Sequence, residues 1–382
     1  MAYHRAGGIP VTARKSAGKP KKAANRSLGA AKATKQDEFY TQLSDIEKEL
    51  RHYTAHFRNK TVFCNCDDPK VSNFFHYFSH NFEKLKLKKL ITTCYKNGNA
   101  DLFSEHTGET GAYLEYDGDK SGNRVPDPDE IGIHKLKGDG DFRSEECIRL
   151  LKQADVVVTN PPFSLFREYV TQLVAHKKKF IILANQNTLS TKDVFELVRD
   201  GKLWLGYNNG DMAFRVPDHY EPRETRFWVD EHGDRWRSFG TMCWLTNLDI
   251  AKRHEELILY KTYDPKVYPT YDNFDAIEVS KVEDIPLDFD GIMGVPGGFL
   301  TKHNPDQFEI VGITKTWCGM ASRKYPTQIQ VDADGTKSEV SKLNDGAALR
   351  WPTRPVGRTY YVVGGKYFTQ TYPRMLIRRK GK

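Results

Sequence analysis

Asn160-Pro161-Pro162-Phe163 puts a carboxamide, two imide rings and an aromatic face at four consecutive positions. The segment follows an apolar run, Val156-Val157-Val158-Thr159, and precedes an amphipathic stretch from Phe166 to His176. A strand tip opening onto a helix is where open α/β sheets place ligands. The chemistry these residue types suit is methylation of an exocyclic amino group on a base turned out of its stack. Such a nitrogen is a poor nucleophile, because its lone pair is delocalised into the ring. The Asn160 side-chain oxygen and the Pro161 carbonyl would accept its two hydrogens and push electron density toward an incoming methyl. Pro161 and Pro162 stiffen the loop and remove two competing N–H donors, and Phe163 offers a flat face for the extruded base. The bland alternative is a rigid turn with two prolines, expected by chance in roughly one or two chains per hundred of this length. Neighbouring segments have to decide.

The elements that would position this loop follow from periodicity. Leu43, Ile46 and Leu50 mark a helix, and Thr61 to Cys64 a short strand running into Asn65-Cys66-Asp67-Asp68-Pro69. Asp68 is a cap candidate and Pro69 a first-position residue for the next helix. In that helix Phe74, Phe78 and Phe82 recur every four residues, a core-facing stripe. Leu90 to Thr93 is a second strand, and residues 97–135, rich in Gly, Asp and Glu, read as a surface insertion. Ser144 is placed to cap a helix before the Val156 strand. A helix from about Phe166, a strand Phe180 to Ala184, a helix Thr191 to Arg199 and a strand Leu203 to Tyr207 follow, with Met242 to Thr246 beyond. This alternation predicts an α/β fold, a doubly wound, mostly parallel sheet over residues 36–251. Past about residue 250 Pro and Gly become frequent and helical periodicity nearly vanishes, so residues 252–382 read as a smaller β-rich module.

At 382 residues and 43.9 kDa the chain can bury a full α/β core and a second domain. No stretch approaches the roughly 18 apolar residues of a membrane span, and the basic N-terminus has no apolar h-region, so neither a membrane segment nor a secretory signal is expected. Cys64, Cys66, Cys94, Cys147, Cys243 and Cys318 are scattered. Cys64-x-Cys66 reads as half a zinc site with no second pair at ligand spacing, so no metal is expected. A reduced, cytoplasmic protein is. The net charge of +8 is a tail property: residues 1–35 carry nine Lys or Arg and no acid, leaving 49 basic against 50 acidic residues elsewhere. Residues 1–35 are expected to be a disordered basic tail that binds polyanions through counterion release. In the body, Arg215, His219, Arg223, Arg226, Arg235 and Arg237 form one candidate DNA surface, and Arg374, Arg378, Arg379, Lys380 and Lys382 another.

Several segments together resemble the EcoRI-type adenine-specific DNA methyltransferases. They are Asp37-Glu38-Phe39-Tyr40-Thr41, Cys64 to Pro69, Gly138-Asp139-Gly140-Asp141-Phe142-Arg143-Ser144, Val156 through Tyr169, Leu183 to Asn187, Gly294-Val295-Pro296 and Asn304 to Phe308. The resemblance spans about residue 36 to the C-terminus. It implies a Rossmann-like methyltransferase sheet, S-adenosyl-L-methionine as cofactor, transfer to N6 of adenine in double-stranded DNA after base flipping, and a C-terminal target-recognition module over 252–382.

On this resemblance Asn160, Pro161, Pro162 and Phe163 form the catalytic element. Phe39, Tyr40 and Thr41 match the N-terminal cofactor-contacting segment. Cys64, Asn65, Cys66 and Asp67 occupy the turn that holds the methionine part, and Asp141 and Phe142 match the segment contacting the cofactor adenine. The turn after the first strand lacks the usual glycines, and Leu90 to Thr93 lacks a closing acid for the ribose, leaving Tyr95 or an acid from elsewhere for that role. Arg215, Arg223, Arg226, Arg235 and Arg237 are the expected DNA contacts. A restriction–modification role, with a cognate endonuclease acting separately, is compatible with the family. Two other readings stay open at this point: an amino methyltransferase of rRNA or of protein glutamine, and a DNA-binding relative without catalysis.

Overall fold

Alternation within three short strands explains the centre of the molecule. In β2 (Thr61–Cys64), β6 (Val156–Thr159) and β7 (Lys179–Asn185), neighbouring residues point to opposite faces, and both faces are apolar. Val62, Val156, Val158, Ile181 and Leu183 meet α1 (Leu43–Leu50) and α2 (Asn73–His80) through Ile46, Leu50, Phe74 and Phe78. Phe63, Val157, Phe180, Ile182 and Ala184 meet α3 (Glu145–Gln153), α4 (Phe166–Ala175) and α5 (Lys192–Arg199) through Leu150, Leu151, Val170, Leu173, Val194 and Phe195. Each of the Val, Leu, Ile and Phe side chains among them contributes about 1.5–3 kcal/mol on burial. Helices therefore cover both faces of one sheet. These coordinates are a computed structural model, which describes residues 39–65, 72–94, 111–123, 126–127, 129–218 and 220–381. The basic tail and the Asp68-Pro69 helix start lie outside them. Within them Ser72 caps α2 by accepting from the Phe75 N–H at 3.1 Å, and Ser144 caps α3 by accepting from the Cys147 N–H at 3.2 Å.

The sheet has ten strands. Besides those above, they are β1 (Tyr40–Thr41), β3 (Lys89–Cys94), β4 (Ala112–Tyr116), β5 (Gly132–Lys135), β8 (Trp204–Val216), β9 (Phe227–Val229) and β10 (Arg235–Thr246). Their order is β1-β8-β10-β7-β6-β2-β3-β4-β5, with β9 on β10. Among the described residues of this sheet, only β7-β6-β2-β3 pair in parallel and the other pairings are antiparallel. The expectation of a mostly parallel sheet is thus corrected: the parallel part is a four-strand centre with antiparallel flanks. Parallel pairing needs a crossover, whereas β8 and β10 lie antiparallel side by side, with β9 in their connection pairing on β10. Residues 97–135 are not merely a surface insertion either, since β4 and β5 extend the sheet from β3.

A buried carboxylate fastens the hairpin to α1. Glu49 is fully buried and accepts from Tyr53 Oη at 2.8 Å, the Tyr207 N–H at 2.9 Å, and the Asn208 N–H and Nδ2 at 2.8 and 2.7 Å. Gly206 permits this approach, because an added Cβ there would lie 2.2 Å from Glu49 Oε1.

Beyond residue 250 the described residues form strands and short 3-10 turns. One sheet runs β11 (Ile277–Glu278), β12 (Met293–Pro296), β19 (Arg374–Arg379), β13 (Phe308–Ile313). Its Val295, Ile310, Met375 and Ile377 share the core of α3–α5, and Trp317 meets Phe195 edge-on at 5.6 Å. The other sheet runs β15 (Lys337–Val340), β14 (Gln328–Val331), β17 (Tyr360–Val363), β18 (Lys366–Gln370), β16 (Ala348–Trp351). Within the first of these sheets, half-buried Arg374 pairs with buried Glu278, with Nε 3.1 Å from Oε2, and Glu278 also takes the Tyr271 hydroxyl. No helix among the described residues is long and apolar enough to cross a membrane.

His303, packed against Phe299 with ring centroids 5.5 Å apart, is pushed by burial down to about 4. An unfolded imidazole titrates near 6.5, so between these values the unfolded chain binds more protons. The resulting stability is complete above about pH 6.5 and lost as pH falls toward 4. Melts across that window should show His303→Gln with a flatter profile than the parent, by up to about 3 kcal/mol at the acid end.

Candidate functional site

The chain leaves β2 toward β3 on one side and later returns to β6 on the other. Strand order reverses between β2 and β6, and the carboxyl ends of strands at such a switch point are where open α/β sheets place ligands. The residues there are Cys64-Asn65 and Thr159-Asn160. Hydroxyls from flanking elements hold the first pair: Thr92 donates to the Cys64 carbonyl at 2.7 Å, Thr159 to the Asn65 carbonyl, and Tyr169 of α4 to Asn65 Oδ1. Asn65 is buried, so its amide orientation is set by Tyr169.

Asn160 is aimed by the start of the described chain. Its Nδ2 donates to the Phe39 carbonyl at 2.7 Å. That segment is itself anchored: Tyr40 and Thr41 pair with Arg215 and Phe214 of β8, and Asn73 Nδ2 donates to the Thr41 carbonyl at 2.7 Å. With its nitrogen committed, Asn160 presents Oδ1, which is buried and has no partner among the described residues. Buried acceptors without a donor are uncommon in native structures and cost about 1–3 kcal/mol. The Thr41 and Thr93 hydroxyls, at the tips of β1 and β3, are likewise buried without a described partner. Pro162 holds an extended backbone (φ −59°, ψ 126°) that leads into the 3-10 turn Phe163–Leu165.

Phe163 is not open on both faces. Phe39 stacks on it with centroids 5.2 Å apart and planes 20° apart. Phe39 in turn meets Phe239, Phe214 and Tyr220 edge-on at 5.0, 5.9 and 6.0 Å. Offset-stacked and edge-to-face contacts are the favoured aromatic geometries, so one face of the expected stacking platform is covered from within the chain.

Asp141 is engaged in its own loop, accepting from the Arg143 N–H at 2.8 Å and from its Nε and Nη2 at 2.9 and 2.6 Å; Arg143 also reaches Glu168 at 3.0 Å. Phe142 is buried edge-on against Tyr169 at 5.1 Å. Gln172 donates to the Phe142 carbonyl at 3.0 Å, leaving a buried Oε1 without a described donor. Both line an open cleft of 630 Å³ with Ser164, Arg167 and Glu168. Cys66, Asp67 and Tyr95, and His219 of the arginine cluster, lie outside the described residues.

The arginine cluster lies on the β8–β10 hairpin and its connection, next to the aromatic group around Phe39. Arg215 pairs with Asp234 at 2.8 Å and Arg226 with Asp211 at 2.9 Å. Arg235 donates to the Tyr220 carbonyl at 3.0 Å, Arg237 to the Thr225 carbonyl, and Arg223 lies over Tyr220 at 5.9 Å. These side chains tie the arm together while remaining partly exposed.

Sequence reasoning missed the residues that orient the site: Thr92, Thr159 and Tyr169. A signal was present for two of them, since Thr92 and Thr159 put hydroxyls at the ends of otherwise apolar strands. Tyr169 gave none, because an aromatic on the inner stripe of α4 looks like ordinary core.

Comparison with known proteins fits this geometry. A family model described as adenine-specific methyltransferase EcoRI matches residues 27–380. The chain is 50% identical over 297 residues to Type II methyltransferase M.EcoRI of Escherichia coli, covering 77% of this chain and 90% of that protein. It is 40% identical to Type II methyltransferase M.MgeORF184P of Mycoplasma genitalium, over 74% of this chain and 84% of the relative. For M.MpnI of Mycoplasma pneumoniae the identity is 38%, over 74% and 83%. No solved structure matches the chain.

Proposed function

We infer the reaction of this site from one premise: the chain belongs to the EcoRI family of adenine-specific DNA methyltransferases. It is an enzyme that methylates adenine in DNA, and its relatives carry Type II names. On that basis the α/β sheet is a doubly wound methyltransferase sheet, supported by helices on both faces and a parallel centre. Residues 252–382 are its target-recognition module.

The observation that carries the mechanism is the orphaned Asn160 Oδ1, buried beside the switch point with its amide nitrogen tied to Phe39. An adenine amino group supplies the missing donor. The Pro161 carbonyl takes the second hydrogen. Together the two oxygens orient the nitrogen lone pair away from the ring and stabilise the positive charge that grows there. No strong base is required, because the charged nitrogen loses its proton to water. The base must leave the duplex to reach Asn160, and it stacks on the face of Phe163 that Phe39 leaves uncovered.

The cofactor of this reading is S-adenosylmethionine, placed at the switch point between β2 and β6, where it would supply an electrophilic methyl. Phe39, Tyr40, Thr41, Cys64, Asn65, Asp141 and Phe142 would hold it, with Cys66, Asp67 and Tyr95 from the adjoining segments. The orphaned Thr41 and Thr93 hydroxyls support a polar ligand there. Hydroxyls fix the Cys64 and Asn65 carbonyls at the tip of β2. Arg215, Arg223, Arg226, Arg235 and Arg237, on the arm beside the catalytic loop, flank the DNA. A cognate restriction endonuclease, acting separately, completes a restriction–modification pair.

Incubating the protein with methyl-labelled S-adenosylmethionine and separate DNA, RNA and protein pools tests this reading. Label is expected in DNA alone, released on hydrolysis as N6-methyladenine. Label confined to RNA or protein would overturn it.

A further inference from the structure

Cations without a counter-charge in the folded protein have the most to gain from a polyanion. From Gly346 to Lys382 the sequence has nine Lys or Arg and no Asp or Glu. Arg374 and Arg378 are answered by carboxylates of Glu278 and Glu309, and Arg379 by the Leu287 carbonyl. Arg350, Arg354, Arg358 and Lys366 are different. Among the described residues none of the four makes an ion pair or a side-chain hydrogen bond, and all are exposed. They sit on one unit: the end of β16, the loop 352–359, and the start of β18.

This unit is built to hold guanidinium groups outward. Arg354 lies over the Tyr360 ring at 5.6 Å and Arg358 over Trp351 at 5.5 Å. Trp351 is fixed in turn, its indole N–H donating to Thr369 Oγ1 at 2.9 Å. Pro352 and Pro355 stiffen the loop, and Gly357 takes a left-handed φ of 72° to turn it. A guanidinium stacked on a ring keeps its N–H edge free, in the fork geometry that matches a phosphate. A cluster of unpaired like charges repels itself unless an anion bridges it. The paired arginines of the β8–β10 arm would have to break an existing bond to bind one.

We propose that this face, centred on Arg354 and Arg358, grips the phosphate backbone of the DNA substrate. The proposal rests on the reading of the chain as a DNA methyltransferase. These cations set affinity and salt dependence, while transfer itself stays with Asn160.

The test measures dissociation constants of the full-length protein for a fluorescent duplex over a range of salt. It compares the parent, Arg354→Gln/Arg358→Gln and Arg354→Lys/Arg358→Lys. Each lost phosphate contact removes about 0.9 from the slope of log affinity against log salt. The double Gln variant should therefore lose roughly two from that slope and bind on the order of tenfold more weakly near 0.15 M salt. The Lys variant should keep the slope. The Gln variant should raise KM for DNA with kcat and melting temperature unchanged, since all the substituted side chains are exposed. An unchanged slope in the Gln variant, with a parent that methylates DNA, would overturn this assignment alone. A parent that neither binds nor methylates DNA would remove the functional reading, and the proposal with it.

Discussion

Asn160→Ala should methylate adenine about three powers of ten more slowly than the parent while binding S-adenosylmethionine with nearly the same affinity. The substitution deletes an acceptor whose only described role is to wait: Oδ1 is buried and unpartnered, and Nδ2 spends its hydrogen on the Phe39 carbonyl. Loss of Oδ1 frees the adenine amino group to rotate and removes a dipole opposed to the charge that develops on nitrogen. Asn160→Asp keeps an oxygen but sets a carboxylate against the Phe39 carbonyl, so Phe39 is expected to shift and Phe163 to lose its stacked neighbour. Its rate should fall between those of the parent and Asn160→Ala. Single-turnover rates on a short duplex, with donor affinity measured separately by calorimetry, separate binding from transfer. A parental rate in Asn160→Ala would show that the amino group is held by something else.

Glu49→Ala should destabilise the fold by about 4–5 kcal/mol, the largest cost expected of any exchange far from the loop. The carboxylate accepts from two backbone N–H groups, the Asn208 amide and the Tyr53 hydroxyl, all inside the molecule. Alanine would leave those donors unsatisfied around a cavity. Glu49→Gln preserves the volume but turns one acceptor into a donor facing N–H groups, so an intermediate loss of about 2 kcal/mol is expected. Urea unfolding of the three proteins gives the ranking. Equal midpoints for parent and Glu49→Ala would mean that water replaces the carboxylate and that the hairpin does not depend on α1. Residual activity per folded molecule should survive, because Glu49 fastens the hairpin and touches no reacting group.

How much was legible beforehand differs by element. The stripe Leu43, Ile46, Leu50 forms α1, Ser144 caps α3, and Val156-Val157-Val158-Thr159 is a strand ending at the catalytic loop. These features depend on neighbours a few residues apart, and such short-range preferences are written into residue type. The long hairpin was half seen: β10 is polar and shows no alternating burial before Met242, and only the far end of β8, where Met212, Phe214 and Val216 are buried between more exposed neighbours, keeps the strand pattern.

From its own residues the chain determined that an Asn-Pro-Pro-Phe loop stands at a strand tip of an α/β sheet and that its last third is β-rich. Tertiary structure alone decided that Asn160 is aimed by a carbonyl 121 positions away, and that Asn65 is locked by Tyr169 across 104. It alone decided that Phe39 covers one face of Phe163. The same holds for charge: Arg215 and Arg226 look like Arg354 and Arg358 in a sequence, yet folding brings carboxylates to the first two and aromatic rings to the others. Which partner a side chain meets is set by the packing of distant segments, and no local preference of the chain encodes that distance.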